Sequence, residues 1–154
     1  MQAANLLFLT LLTSPLLASA TRGEPAPEMH FDAVIPERSV AEATMKALAG
    51  KAVVLEFWAT WCAPCITSMP DLNELARQFQ DRPVQFISVT DEERPVVEAF
   101  LRKRPLEGWI GLDPKRRLFQ AYGVDGIPQT VLIDRKRQRN TPGRNGLPAA
   151  EMER

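Results

Sequence analysis

The sequence predicts a layered α/β domain, and three observations carry that prediction. The run Val53–Trp58 (V-V-L-E-F-W) is apolar except for one glutamate, which reads as a central strand covered on both faces. Behind it, Ile66, Met69, Leu72, Leu75, Ala76 and Phe79 recur at helical spacing. Two more strand-like runs, Val84–Val89 and Gln129–Ile133, are separated by segments with helical patterning. Strands joined by helical crossovers stack helices against a sheet.

Taken in order, the chain opens with an apolar stretch, Leu6–Leu17, too short to span a bilayer comfortably. Ala18-Ser19-Ala20 follows as a small-residue site of the A-x-A type, so residues 1–20 read as an export signal cleaved after Ala20. Against this, Met1–Asn5 carry no Lys or Arg. Residues 21–30, with Pro25 and Pro27, read as a polar linker, and the folded domain is expected over 31–134. Within it, Phe31–Ile35 is expected as a short edge strand and Ala41–Ala49 as a short helix closed by Gly50. Val53–Trp58 is the central strand, and Pro64–Gln80 a helix in which Pro70 removes an N–H. Val84–Val89 is a second strand, followed by a helix over Asp91–Arg104 opened by Asp91. Trp109–Leu112 is a short extended piece, Pro114–Tyr122 a helix stopped by Gly123, and Gln129–Ile133 the third strong strand.

Cys62 therefore sits where a strand ends and a helix begins. The first N–H groups of a helix lack intrahelical partners, and the peptide dipoles add partial positive charge there. A thiolate is stabilised in that position, so Cys62 should ionise below the free value of about 8.5. Pro64 lacks an N–H where that donor would be orphaned anyway. Cys65, three residues on, is close enough to close a disulfide with Cys62. An exposed attacking sulfur with a shielded resolving sulfur behind it suits thiol–disulfide exchange.

Composition narrows the alternatives. The 154-residue length fits one domain, and 19 basic against 19 acidic side chains give no global bias towards nucleic acid or anionic membranes. His30 with the two cysteines supplies three ligands at most, too few for a four-ligand zinc site, and no metal is expected.

The segment E-F-W-A-T-W-C-A-P-C resembles the active-site segment of thioredoxin-fold oxidoreductases, in particular the exported TlpA/ResA type. The resemblance covers about Pro27 to Asp134. It implies a thioredoxin-like three-layer sandwich with a central mixed sheet. It also implies dithiol–disulfide exchange on protein thiols and disulfides with no organic cofactor, electrons being passed on by a membrane or soluble donor. Glu56, six positions before the first cysteine, occupies the place of a buried acidic residue that handles protons in the family. Its apolar neighbours independently predict desolvation, which raises a carboxyl pKa. G-I-P-Q-T matches the family's cis-proline loop, so Ile127 would present backbone to substrate and Pro128 would keep a metal off the thiolates. Trp61, with Ala63 and Pro64, is expected to form an apolar docking surface beside the attacking sulfur. Trp58 is assigned to packing. Ala63-Pro64 resembles the reducing members. Ser68 stands where some haem-maturation reductases carry Glu, which argues against that specialised task.

After Asp134 the family pattern stops. R-K-R-Q-R-N-T-P-G-R-N-G-L-P-A-A-E-M-E-R, with two prolines, two glycines and almost no large apolar residue, predicts a disordered basic tail over 135–154. The C-terminal strand and helix of the family would then be missing, leaving one edge of Gln129–Ile133 unpaired and the chain a truncated member. The sequence thus supports an exported thiol–disulfide oxidoreductase, probed against a truncated, impaired fragment with at most a binding role. A peroxide-reducing thiol enzyme shares the fold, but its threonine-containing proline loop with a nucleophilic cysteine is not found.

Overall fold

A computed structural model describes residues 23–36 and 40–143. The predicted signal segment and the part of the tail beyond residue 143 lie outside the described residues. The elements run β1 (Glu24–Pro25), β2 (Ala33–Ile35), a 3₁₀ turn (Val40–Ala43), β3 (Ala52–Phe57), α1 (Ala63–Gln78) and β4 (Val84–Thr90). They continue α2 (Arg94–Leu101), β5 (Trp109–Leu112), α3 (Arg117–Ala121), β6 (Gln129–Ile133) and β7 (Gln138–Gly143).

All strands join one mixed sheet in the order β1-β7-β6-β3-β4-β5-β2. β3 lies in the middle, parallel to β4 and antiparallel to β6. Successive side chains on a strand face opposite sides, and the two faces of β3 separate cleanly. Val53, Leu55 and Phe57 join a core with Leu118 and Phe119 of α3, Tyr122, and the entering residues Met29 and Phe31. Val54 instead packs with Ala76 and Phe79 of the α1 end and with Phe86 and Leu132. Trp58, just past the strand, packs with Met69, Val97 and Ile110 under α1 and α2. Glu56 shares this second face. Helices on both faces of a mixed sheet give the expected three layers. Gly111 on β5 admits the Phe31 ring: a Cβ there would lie 2.3 Å from it.

Four expectations are corrected. The tail begins not as disorder but as a strand: β7 pairs antiparallel with β6, so that edge is covered. The cause is local to the turn, where the Asp134 carboxylate accepts the N–H groups of Lys136 and Gln138, each at 2.8 Å. Arg137 adopts φ 66° and completes the reversal. A ladder needs backbone groups, not apolar side chains, so composition misled.

The linker is likewise part of the sheet. β1 pairs with β7, the Ala26 N–H donates to the Arg137 carbonyl at 2.8 Å, and Met29 is fully buried. The folded region therefore extends on both sides of the expected 31–134. The expected helix over Ala41–Ala49 is a 3₁₀ turn followed by hydrogen-bonded turns, with Gly50 at φ +82°. α3 begins at Arg117 rather than Pro114. There the buried Asp113 accepts the N–H groups of Arg117, Leu118 and Phe119 and sets the helix start.

Candidate active site

Cys62 is the N-cap of α1 and is disulfide-bonded to Cys65, with their Cα atoms 5.3 Å apart. The Cys65 N–H donates to Cys62 Sγ at 3.3 Å. This is one of the orphan donors of the helix start, now turned on a sulfur. Pro64 falls in the first turn, where its missing N–H leaves the arrangement intact. In one respect the geometry departs from expectation. Cys62 is 3% exposed and Cys65 2%, so neither sulfur is the exposed one in this oxidised state. A side chain that turns back to cap its own helix is drawn against Trp58 and Ala59, in the cluster that holds both cysteines. Position at the cap, rather than exposure, distinguishes the pair.

The carboxyl of Glu56 is buried on the α1 face of β3, and burial pushes its pKa up to about 7. The Thr130 hydroxyl donates to it and opposes that rise, but the loss of hydration dominates. A cavity of about 10 Å³ is lined by Glu56, Ser88, Trp58 and Ser68 and reaches Cys65. That is about the volume one water needs. Trp58, assigned to packing, does stack on Phe100 with ring centroids 5.4 Å apart. It also borders the cavity, and its indole N–H is buried without a partner among the described residues.

Around the cysteines the predicted docking residues take different places. Trp61 is 71% exposed, and Ala63 and Pro64 are exposed beside it. Ile127 is half-buried and packs against the cluster that contains both cysteines. The Ile127–Pro128 peptide bond is cis, as is Ile35–Pro36, which no motif in the chain announces. Thr130 and Ser88 were missed because they join the site only through register. Glu56 is the Cα partner of Ser88 on β4 and of Thr130 on β6. No local pattern announces a pairing between residues so far apart in the chain. Glu92 was also missed: its carboxylate accepts the Thr60 N–H at 2.7 Å and the Thr60 hydroxyl at 2.6 Å.

Comparison with known proteins agrees with this architecture. The chain is 32% identical over 114 residues to the thiol-disulfide oxidoreductase ResA of Bacillus thuringiensis (strain Al Hakam), covering 73% of this chain. It spans 64% of that relative's length. The ResA of Geobacillus thermodenitrificans is 36% identical over 105 residues, covering 68% of this chain and 60% of the relative. Among solved structures, a Chlorobium tepidum protein provisionally named thiol:disulfide interchange protein DsbE superposes with a TM-score of 0.70 at 27% identity. That match covers 88% of this chain and 92% of the other. The thioredoxin domain of a Bacteroides vulgatus thiol-disulfide oxidoreductase also gives 0.70, at 20% identity, over 82% and 91% of the two chains. At that identity it speaks for the fold alone. The model of the AhpC/TSA family matches residues 23–138, from the first strand into the last. On the strength of that match across nearly all of its sheet, the chain belongs to the AhpC/TSA family.

Proposed function

We propose that this protein exchanges electrons with other proteins through the Cys62–Cys65 pair, as a reductant of protein disulfides in an extracytoplasmic space. In the reduced form, the Cys62 thiolate attacks a client disulfide. A mixed disulfide forms and one client thiolate leaves, taking up a proton. Cys65 then loses its proton, attacks Cys62 Sγ, and releases the second client thiolate. Two client thiols form, and the pair ends as the disulfide seen here. The Cys65 N–H that faces Cys62 Sγ supports the thiolate of the first step. Glu56 takes the proton from Cys65 in the second step, through one water in the cavity they share. A carboxyl pushed up to about 7 is matched to accepting and returning that proton near neutrality.

The single observation behind this reading is a helix-capping disulfide beside a buried carboxyl, joined by a cavity the size of a water. Trp61, Ala63 and Pro64 on one side and Ile127-Pro128 on the other would hold the client. The direction rests on Ala63-Pro64, which resembles the reducing members. Export rests on Leu6–Leu17 and the Ala18-Ser19-Ala20 site, with cleavage after Ala20. No helix among the described residues is long and apolar enough to cross a membrane. A separate electron donor, soluble or membrane-bound, must then recharge the pair. The test is insulin reduction by the chain and by Cys62→Ser, together with the equilibrium potential of the pair against glutathione. Equal rates for the two proteins would refute the reading.

A further inference from the structure

The loop Ala59–Trp61 joins β3 to α1 and carries both the exposed Trp61 and the approach to Cys62. Its hydrogen bonds to another element run through Thr60 and end on Glu92, 32 residues away. Oε2 of Glu92 accepts the Thr60 N–H at 2.7 Å, and Oε1 accepts the Thr60 hydroxyl at 2.6 Å, so the carboxylate grips backbone and side chain at once. Glu92 is itself fixed. The hydroxyl of the fully buried Thr90, the last residue of β4, donates to Oε2 at 3.2 Å and accepts the Glu92 N–H at 3.3 Å. The Cys62 N–H in turn donates to the Ala59 carbonyl at 3.1 Å. One carboxylate therefore ties the loop ahead of the redox pair to the strand beside β3.

We infer that Glu92 is a positioning residue for protein clients: by fixing Thr60 it sets how the Trp61 ring and the Cys62 sulfur are presented to an incoming disulfide. The inference deepens the exchange reading and rests on it. The chemistry requires such a fixture. An exposed indole adds more to affinity when its backbone is already ordered, since ordering on docking costs part of the binding free energy. Hydrogen bonds to an ionised acceptor are stronger than neutral ones, which suits a carboxylate to holding a short loop.

The test uses the full chain, Glu92→Ala, Glu92→Gln and Thr60→Val, with insulin and a small symmetrical disulfide as substrates. Glu92→Ala is expected to raise the insulin KM about tenfold while kcat and the small-disulfide rate fall far less, because two charge-assisted bonds are lost from docking and not from the sulfur chemistry. Glu92→Gln, which keeps one acceptor oxygen, should recover part of the loss. Thr60→Val combined with Glu92→Ala should lose no more than Glu92→Ala alone, since the two act as one unit. Backbone amide order parameters of Thr60, Trp61 and Cys62 should drop in Glu92→Ala from a rigid value of about 0.85 towards 0.6. An unchanged KM, an equal loss with both substrates, or unchanged order parameters would each overturn the inference. A wild type inert towards both substrates would instead refute the exchange reading, while the order parameters still decide the role of Glu92.

Discussion

Replacing Glu56 by Gln removes one titrating group from the centre of the sheet and should leave the Thr130 hydroxyl a partner, since an amide oxygen also accepts. The wild-type carboxyl moves from 4.5 to about 7 because burial strips its hydration. The folded chain thus holds a proton there over a pH range in which the unfolded chain has released it. Where the folded state binds more protons, stability falls as pH rises. The contribution is full below 4.5 and gone once pH passes about 7. Its size is about 3 kcal/mol at the conversion of roughly 1.4 kcal/mol per pKa unit. Against a total stability of about 5–15 kcal/mol, that is large enough to measure. Urea unfolding of the oxidised chain at intervals between about pH 4 and 9 should show the wild type losing about 3 kcal/mol more than Glu56→Gln across this window. The exchange reaction supplies the second half. The Gln variant should resolve the mixed disulfide more slowly by on the order of a hundredfold near neutral pH, the usual worth of a positioned base. Parallel stability curves for the two proteins would show that Glu56 is hydrated or paired in the fold, and the proton-transfer role would fall with them.

Three further expectations follow from named contacts. Cys65→Ser leaves the attacking sulfur but no resolving one, so client should accumulate as a mixed disulfide at Cys62, read by mass under non-reducing conditions; free thiol only would contradict the assigned order of attack. Trp61→Ala removes a ring that is 71% exposed, so its melting temperature should stay within about 1 °C of wild type while the KM for insulin rises about three- to tenfold. Asp134→Ala loses the acceptor of two turn N–H groups at the start of β7, and chemical denaturation should show a cost of about 1–3 kcal/mol.

What was legible in the sequence was whatever is written locally. β3, β6 and α1 announce themselves by apolar runs and helical spacing, and Cys62 was placed at the helix start from that alone. Glu56 stood out because a lone carboxylate in V-V-L-E-F-W has no wet face to occupy. Its partners were illegible, since Thr130 and Ser88 reach it by strand register across a crossover and a long return. β7 was hidden for a different reason. Q-R-N-T-P-G has no apolar pattern, and what forms the strand is the Asp134 turn together with the open backbone edge of β6. β1 was hidden with it, because its pairing partner is β7. Glu92 and Asp113 look like ordinary surface acids in sequence. Only the folded chain shows one gripping Thr60 and the other capping α3.

The register around Glu56 also bears on how the pair is tuned. Both strand neighbours, Ser88 and Thr130, carry hydroxyls; that of Thr130 donates to Glu56, and neither brings a positive charge. A cation at either place would favour the carboxylate and return its pKa towards the ordinary range. With hydroxyls only, the loss of hydration outweighs the Thr130 hydrogen bond and the group stays poised near 7. A base that is too acidic would hold no proton to return, and one that is too weak would not take it from Cys65. The same two hydroxyl positions therefore connect strand pairing, which places them, to the protonation state that the proposed second exchange step would require. Thr130→Val should separate these effects, since it keeps a β-branched side chain in the strand while removing the hydroxyl that donates to Glu56. Its pH-rate profile is expected to shift to higher pH, and a profile that stays in place would mean that the group titrating near neutrality is not Glu56.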